Sequence, residues 1–380
     1  MGFLRLLLAI SVVVYHRDVR VHFLVGGLYA VKLFFIISGF YMALILHEKY
    51  TGAHAKRLFY CNRLLRLLPS YYVILGLFLV TPWLGGLFLG RPITFGNLNY
   101  WKLAGANLPE WLSLSLNWLH VTPLGQELPW AGVFDLTSRT VQFQTPPNHQ
   151  SLKLFSLLLL PPAWSLSLEL QFYAFAPYVV RRSVPVLAGI LASGLILRWF
   201  LLFLPASNNF YGDYTLVGNL GYFVLGIVCY RIYRMRTGLA WMGWLADRGS
   251  WFLVFLSAWF AAFPWLPEGW RELVTTGGFA FALPFVFAAT STWHWDRMLG
   301  ELSYPLYLCH WLVNDVWYGL EAYAQKRIPA FQQGWVNVVV VVIASGILAL
   351  ALRYVVERPI DRFRQRLVRR RLPSTPRPGP

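Results

Sequence analysis

The stretch GFLRLLLAISVVVYHRDV, residues 2–19, decides how the chain is read. Its centre is apolar enough to enter a bilayer, yet Arg5 stands at its start and His16 at its far end. Eleven helical steps of about 100° make three turns plus about 20°, which puts both side chains on one face, about 16 Å apart along the axis. Ionisable groups are costly inside a membrane and usually face a cavity or the interior of a bundle. The pair reads either as one wall of a polar cavity crossing the bilayer, or as an inner basic anchor and an interfacial imidazole. Spacing alone leaves both open.

The remainder repeats the apolar theme. The chain has 380 residues, 57% hydrophobic, 17% aromatic and only 13% charged. Long runs such as GILASGLILRWFLLFLP (189–205) and WVNVVVVVIASGILALAL (335–352) have the length that crosses a bilayer core. The expected fold is all-α: a polytopic integral membrane protein of about ten transmembrane helices, at 3–16, 24–46, 68–89, 163–181, 184–204, 214–231, 250–266, 272–292, 301–320 and 335–355. The first run carries no small-residue cleavage site and is expected to remain as a span. With the N-terminus inside, Lys and Arg outside the spans divide 22 on the cytoplasmic side against nine on the other, which predicts N-in and C-in. Residues 1–357 then form the transmembrane domain and 358–380 a basic, Pro-rich cytoplasmic tail. The external loop 90–162 holds Trp101, Trp111, Trp118 and Trp130, and two apolar pieces (111–119 and 154–162) too short to span, which read as interfacial or re-entrant.

The net charge of +17 does not point to nucleic acid. Lys and Arg collect in cytoplasmic loops of membrane proteins, and no basic soluble module interleaved with aromatics is present. Cys61, Cys229 and Cys309 have no disulfide or metal spacing and read as small buried hydrophobes.

Four further segments place polar groups where a membrane disfavours them. FFIISGFYMALIL (34–46) sets Ser38-Gly39 in mid-span, a small pair suited to close helix packing. CNRLLRLLPSYYVI (61–74) puts Arg63 and Arg66 at i, i+3 on a helix entering from the cytoplasm. Paired guanidiniums suit phosphate, and a basic collar explains them equally well. PAWSLSLELQFYAFAP (162–177) buries Glu169 with no cation nearby in sequence. GELSYPLYLCHWLV (300–313) aligns Tyr304, Tyr307 and His310, with Glu301 at its start.

Taken in order, these motifs are similar to those of the membrane-bound acyltransferase 3 family. They are Arg5…His16; Phe34-Phe35-Ile36-Ile37-Ser38-Gly39-Phe40; Arg63…Arg66…Pro69…Tyr71; Trp164-Ser165-Leu166…Glu169…Phe172-Tyr173; and Leu302-Ser303-Tyr304…Tyr307-Leu308…His310. Glu357-Arg358-Pro359 resembles the family's ending. The resemblance implies an enzyme of the bacterial inner membrane that moves an acyl group, usually acetyl, from cytoplasmic acyl-CoA to a hydroxyl of an extracytoplasmic carbohydrate or glycolipid. Membrane lipid, that acceptor and surface-polysaccharide biosynthesis proteins are its expected partners, with no nucleic acid and no metal. In the family the first-span arginine and histidine are essential, which carries over to Arg5 and His16.

Acyl transfer from a thioester needs a base for the acceptor proton and donors for the oxyanion. His16, Arg5 and Glu169 are the expected catalytic residues. Arg63, Arg66, Ser38 and Tyr71 are assigned to acyl-CoA, and Trp164, Tyr304 and His310 to the acceptor. Three departures touch the cavity's charge: no acidic residue precedes Arg5, Lys32 stands where Asp is frequent, and Leu170 replaces a second acidic residue. The rival readings are a polysaccharide or lipid-carrier transporter or flippase and a non-catalytic scaffold. The transporter predicts internal repeats, and the sequence has none evident.

Overall fold

The structure is a computed structural model that describes the chain apart from residues 18–23, 53, 90–107, 144–150, 205–208, 237, 329–330, 332 and 372–380. Trp101 and the Pro-rich end of the tail lie outside the described residues.

The helices are α1 (Gly2–Arg17), α2 (Gly27–Glu48), α3 (Ala55–Leu89), α4 (Glu110–Val121), α5 (Trp164–Val179), α6 (Val184–Leu201), the single turn α7 (Phe210–Asp213), α8 (Leu216–Met235), α9 (Ala240–Asp247), α10 (Gly249–Ala262), α11 (Glu268–Thr290), α12 (His294–Arg327), α13 (Gly334–Leu352) and α14 (Arg358–Arg371). A π-helical turn, Arg353–Glu357, joins α13 to α14. Each expected span falls on a helix. Among the described residues, six helical stretches are long and apolar enough to cross a membrane: Gly27–Glu48, Ala55–Leu87, Val184–Leu201, Phe210–Met235, Glu268–Thr290 and Gly334–Val368. α1 and α5 have 16 residues and α10 has 14, short of the roughly 20 that a bilayer core asks for. α12 is longer than expected, 34 residues or about 51 Å.

α2 runs through the middle, packed on α8, α1, α5 and α11. Its contact with α8 depends on two glycines. A Cβ on Gly39 would run into the Phe223 carbonyl, and one on Gly226 would run into the Ile36 carbonyl. Backbones approach this closely only where side chains are absent, the small-residue mode of membrane helix packing. Around the crossing, Phe35 stacks on Phe223 at 4.6 Å and Phe223 on Phe172 at 4.2 Å. α1 lies along α12. At its start the Asp296 carboxylate accepts from the Gly2 and Phe3 N–H groups at 2.7 and 2.8 Å, so an acidic side chain from another helix neutralises the open donors there.

The fold is not purely helical. The loop between α3 and α5 contains, among its described residues, a three-stranded antiparallel sheet, ordered β2-β1-β3, with β1 (Gly132–Asp135), β2 (Thr140–Phe143) and β3 (Ser151–Lys153). The reason is local. Asp135 accepts from the Thr137 and Ser138 N–H groups, both at 2.8 Å, and Arg139 takes φ 55°, which closes a hairpin between two short β-branched segments. The apolar piece 111–119 lies in α4, whose Leu112 and Leu116 pack with Phe134 in a small core of the loop. Of the cysteines, Cys229 and Cys309 are buried but Cys61 is exposed, contrary to the sequence reading.

The intramembrane cations Lys32 and Arg198 solve each other's problem through shared carboxylates. Lys32 Nζ sits 3.2 Å from Asp213 and 2.7 Å from Glu272; Arg198 sits 2.7 Å from Asp213 and 2.8 Å from Glu272. Two cations meet two anions from α2, α6, α7 and α11, and Tyr222 adds a hydroxyl to Glu272. Lys32 therefore belongs to a balanced network rather than to the cavity described next.

Candidate active site

A cavity of about 530 Å³ opens between α1, α2, α3, α5, α12 and α14. Arg5, Ser38, Arg63, Arg66, Glu169 and Tyr304 all line it, although they come from five helices. The volume is in the range of ligand pockets. Arg5 reaches it past Gly300, whose missing side chain leaves room: the Arg5 guanidinium lies 3.7 Å from where a Cβ would sit. Its charge also lies over the Tyr41 ring at 5.8 Å. Arg63 and Arg66 are displayed by α3, which runs unbroken from Ala55 past Pro69, so the two guanidiniums stay on one helical face.

Glu169, isolated in sequence, is not isolated in space. It lies within Coulombic reach of Arg5, Arg66 and Arg63, and the Tyr173 hydroxyl donates to it at 2.9 Å. Ser38 donates to Tyr173 at 3.3 Å, completing a Ser38–Tyr173–Glu169 chain. Tyr304 donates to the Leu67 carbonyl at 2.7 Å and so ties α12 to α3 beside Arg66. Among the described residues Arg5, Arg63, Arg66 and Lys49 line the cavity without forming an ion pair. Low dielectric strengthens their combined field, which favours an anionic guest.

His16 and His310 do not line the cavity but lie beside one of its lining residues, Tyr307. Near them the cavity is lined by Phe34, Ser165 and Tyr307, with the Ser165 and Tyr307 hydroxyls 2.7 Å apart and the Phe34 and Tyr307 rings edge-to-face at 6.5 Å. His310 Nε2 lies 3.2 Å from His16 Nδ1. The tautomers follow from the partners. His310 Nδ1 is 2.5 Å from the Tyr307 carbonyl and His16 Nδ1 is 2.9 Å from the Val12 carbonyl. Carbonyls only accept, so both Nδ1 atoms carry hydrogen in the neutral pair. His310 Nε2 then accepts from His16 Nδ1–H. His16 Nε2 keeps its lone pair, with no protein partner among the described residues. Trp311 stands edge-on to His16 at 5.4 Å and fixes the ring from the side.

Two expected site residues lie elsewhere. The Tyr71 hydroxyl donates to the His120 carbonyl at 2.9 Å and accepts from Gln126 at 2.6 Å, so it anchors the loop between α3 and α5 to α3. Trp164 is buried in an aromatic stack, 4.7 Å from Tyr214 and 6.2 Å from Phe35. Sequence reasoning did not assign Tyr41, Lys49, Tyr173, Arg297 or Arg364 to the cavity, yet all line it. Tyr173 and Tyr307 stood inside the quoted motifs; Lys49 and Arg364 carried no signal beyond being basic.

The family model described as an acyltransferase domain, Acyl_transf_3, matches residues 1–354. The chain belongs to this acyltransferase family. No curated protein and no solved structure matches it.

Proposed function

We propose, with membership of the acyltransferase 3 family as the premise, that this chain is an integral membrane O-acyltransferase. It moves an acyl group, acetyl first of all, from cytoplasmic acyl-CoA to a hydroxyl of an extracytoplasmic carbohydrate or glycolipid. The reading has ten spans in a bacterial inner membrane, N-in and C-in, and surface-polysaccharide biosynthesis proteins as neighbours.

The observation that carries it is the convergence of Arg5, Arg63, Arg66 and Glu169 on one cavity whose lining residue Tyr307 is hydrogen-bonded to the His310–His16 pair. In this reading Arg63 and Arg66 hold the phosphates of acyl-CoA, because planar guanidiniums donate in pairs to phosphate oxygens. Arg5 guides the pantetheine arm, and the thioester passes Phe34 and Tyr307. The acceptor hydroxyl gives its proton to His16 Nε2 as its oxygen bonds to the thioester carbonyl carbon; the C–S bond then breaks and the CoA thiolate leaves. The proton on His16 is returned to the thiolate or to solvent. The imidazolium formed in between is held on its other side by Val12 O and His310 Nε2, which orient it for the next cycle. Glu169 balances the cationic wall.

The test is acetyl transfer by the purified protein in lipid nanodiscs, with labelled acetyl-CoA and extracted surface polysaccharide as acceptor. We expect acceptor-dependent thiol release that disappears in His16→Ala. A correctly inserted His16→Ala protein that transfers acetyl at the unsubstituted rate overturns the reading.

A further inference from the structure

Residues 358–371 follow the family match, which ends at residue 354. They form α14, and the helix does not hang free: it packs on α3 and on the π-helical turn. Arg353 in that turn fixes its start, reaching Asp361 at 2.6 Å while holding Glu301 of α12 at 2.5 Å. This clamp turns the inner face of α14 onto the cavity, where Asp361, Arg364 and Gln365 join the lining.

Arg364 is the notable member. Only 8% of it is exposed. Its Nε donates to Asn62 at 2.6 Å and its Nη1 meets Asp361, while no protein partner for Nη2 occurs among the described residues. Asp361 is shared with Arg353, so it does not fully neutralise Arg364. Asn62 stands next to Arg63 and one helical turn before Arg66 on α3, which sets Arg364 level with Arg63, at the outer end of that pair. Lys49, at the end of α2, lines the same mouth and lies within Coulombic reach of both Arg63 and Arg364. A desolvated guanidinium with a free donor, facing an ammonium, makes an anion seat beside Arg63, at the outer end of the Arg63–Arg66 pair.

We propose that α14 completes the donor site: Arg364 and Lys49 bind the outer phosphomonoester of the acyl-CoA, its 3′-phosphate, while Arg63 and Arg66 bind the inner diphosphate. This rests on the donor reading given above. Its logic is the order of groups along the donor. The thioester goes deepest, then the pantetheine arm, the diphosphate, and last the ribose phosphate. The cations follow the same order outward: Arg5, then Arg66, then Arg63 with Arg364 and Lys49 beside it.

Two probes separate the parts: CoA and 3′-dephospho-CoA, titrated calorimetrically into the full chain in nanodiscs. The unsubstituted protein should bind CoA roughly tenfold more tightly than the dephospho form, the worth of one charge-assisted hydrogen bond. Arg364→Gln should bring that ratio to about one, and Arg364→Lys should restore part of it. Lys49→Gln, at a surface position where folding is not at stake, should also shrink the ratio. Arg63→Gln should weaken both probes alike and leave the ratio standing. If the unsubstituted protein binds both probes equally, the inference fails while the donor reading survives. If the ratio persists in both Arg364→Gln and Lys49→Gln, the inference fails as well. If neither probe binds the unsubstituted protein, the donor reading itself falls, and the inference with it.

Discussion

His310 Nε2 accepts from His16 Nδ1–H across 3.2 Å, joining two helices whose histidines are 294 positions apart in the chain. The pair leaves a single basic lone pair, on His16 Nε2. His16→Ala should therefore cost about 10²–10⁴-fold in acetyl-transfer kcat, the usual worth of a general base. His310→Ala should cost less and mainly alter the pH profile of kcat, because its role is to orient the imidazole. Both are measured as thiol release in nanodiscs. Equal losses with superimposable pH profiles would contradict the division of roles.

Arg63→Ala and Arg66→Ala should raise the KM for acyl-CoA by roughly 10–100-fold each, since hydrogen bonds to charged groups are worth about 1.5–3 kcal/mol. The reading is a donor titration at saturating acceptor. A changed kcat with an unaltered donor KM would move these residues out of the phosphate site.

Arg198→Met removes one cation from the Lys32–Asp213–Arg198–Glu272 network and leaves buried Asp213 and part-exposed Glu272 facing a single ammonium. Breaking a buried ion network this way typically costs about 3–5 kcal/mol. Thermal unfolding in detergent should show a marked fall in Tm, and adding Glu272→Gln should recover part of it by restoring the balance of charge. No change in Tm in the single variant would mean the network is not closed in the membrane.

Gly39→Leu should prevent α2 and α8 from meeting, because the new side chain has only the Phe223 carbonyl to enter. Overpacking ordinarily costs about 1–3 kcal/mol, and here the obstacle is backbone that cannot swing aside. The variant should elute as aggregate on size exclusion. A monodisperse peak at the unsubstituted Tm would refute the close crossing.

His120, on α4 in the loop, is held to a pKa of about 4 by burial, against its ordinary 6.5. Its Nε2 accepts from the Leu159 N–H at 3.0 Å, a bond that protonation destroys. The opened loop binds the proton more tightly than the packed loop. Stability is thus unaffected above about pH 6.5, falls as pH drops below it, and stops falling near pH 4, after a loss of about 3 kcal/mol at most. Hydrogen exchange at Leu159 should accelerate over that window, and His120→Asn should flatten the dependence.

Much of this was legible in the chain itself. The hydropathy runs placed every expected span on a helix, because a segment crossing lipid must satisfy its backbone internally and so declares itself by length and composition. Arg5, Ser38, Arg63, Arg66, Glu169 and Tyr304, all within the ordered motifs, line one cavity. Tyr71 and Trp164 sat in the same motifs but turn to the loop and to an aromatic stack; adjacency in a motif does not say which way a side chain points. The β-hairpin at Asp135 was missed because its signal is a few turn residues within a loop rich in apolar pieces.

Helices, family and the Arg5–His16 spacing were thus settled by the linear order of residues, since each depends on neighbours within a few turns. What depends on distant segments meeting came only with the folded bundle. The partner that points His16 is His310, the anions that balance Lys32 are Asp213 and Glu272, and the helix that brings Arg364 to the cavity lies at the opposite end of the chain from Arg5. Charges and hydrogen bonds act over a few ångströms, and no periodicity along one segment reports which other segment will come that close.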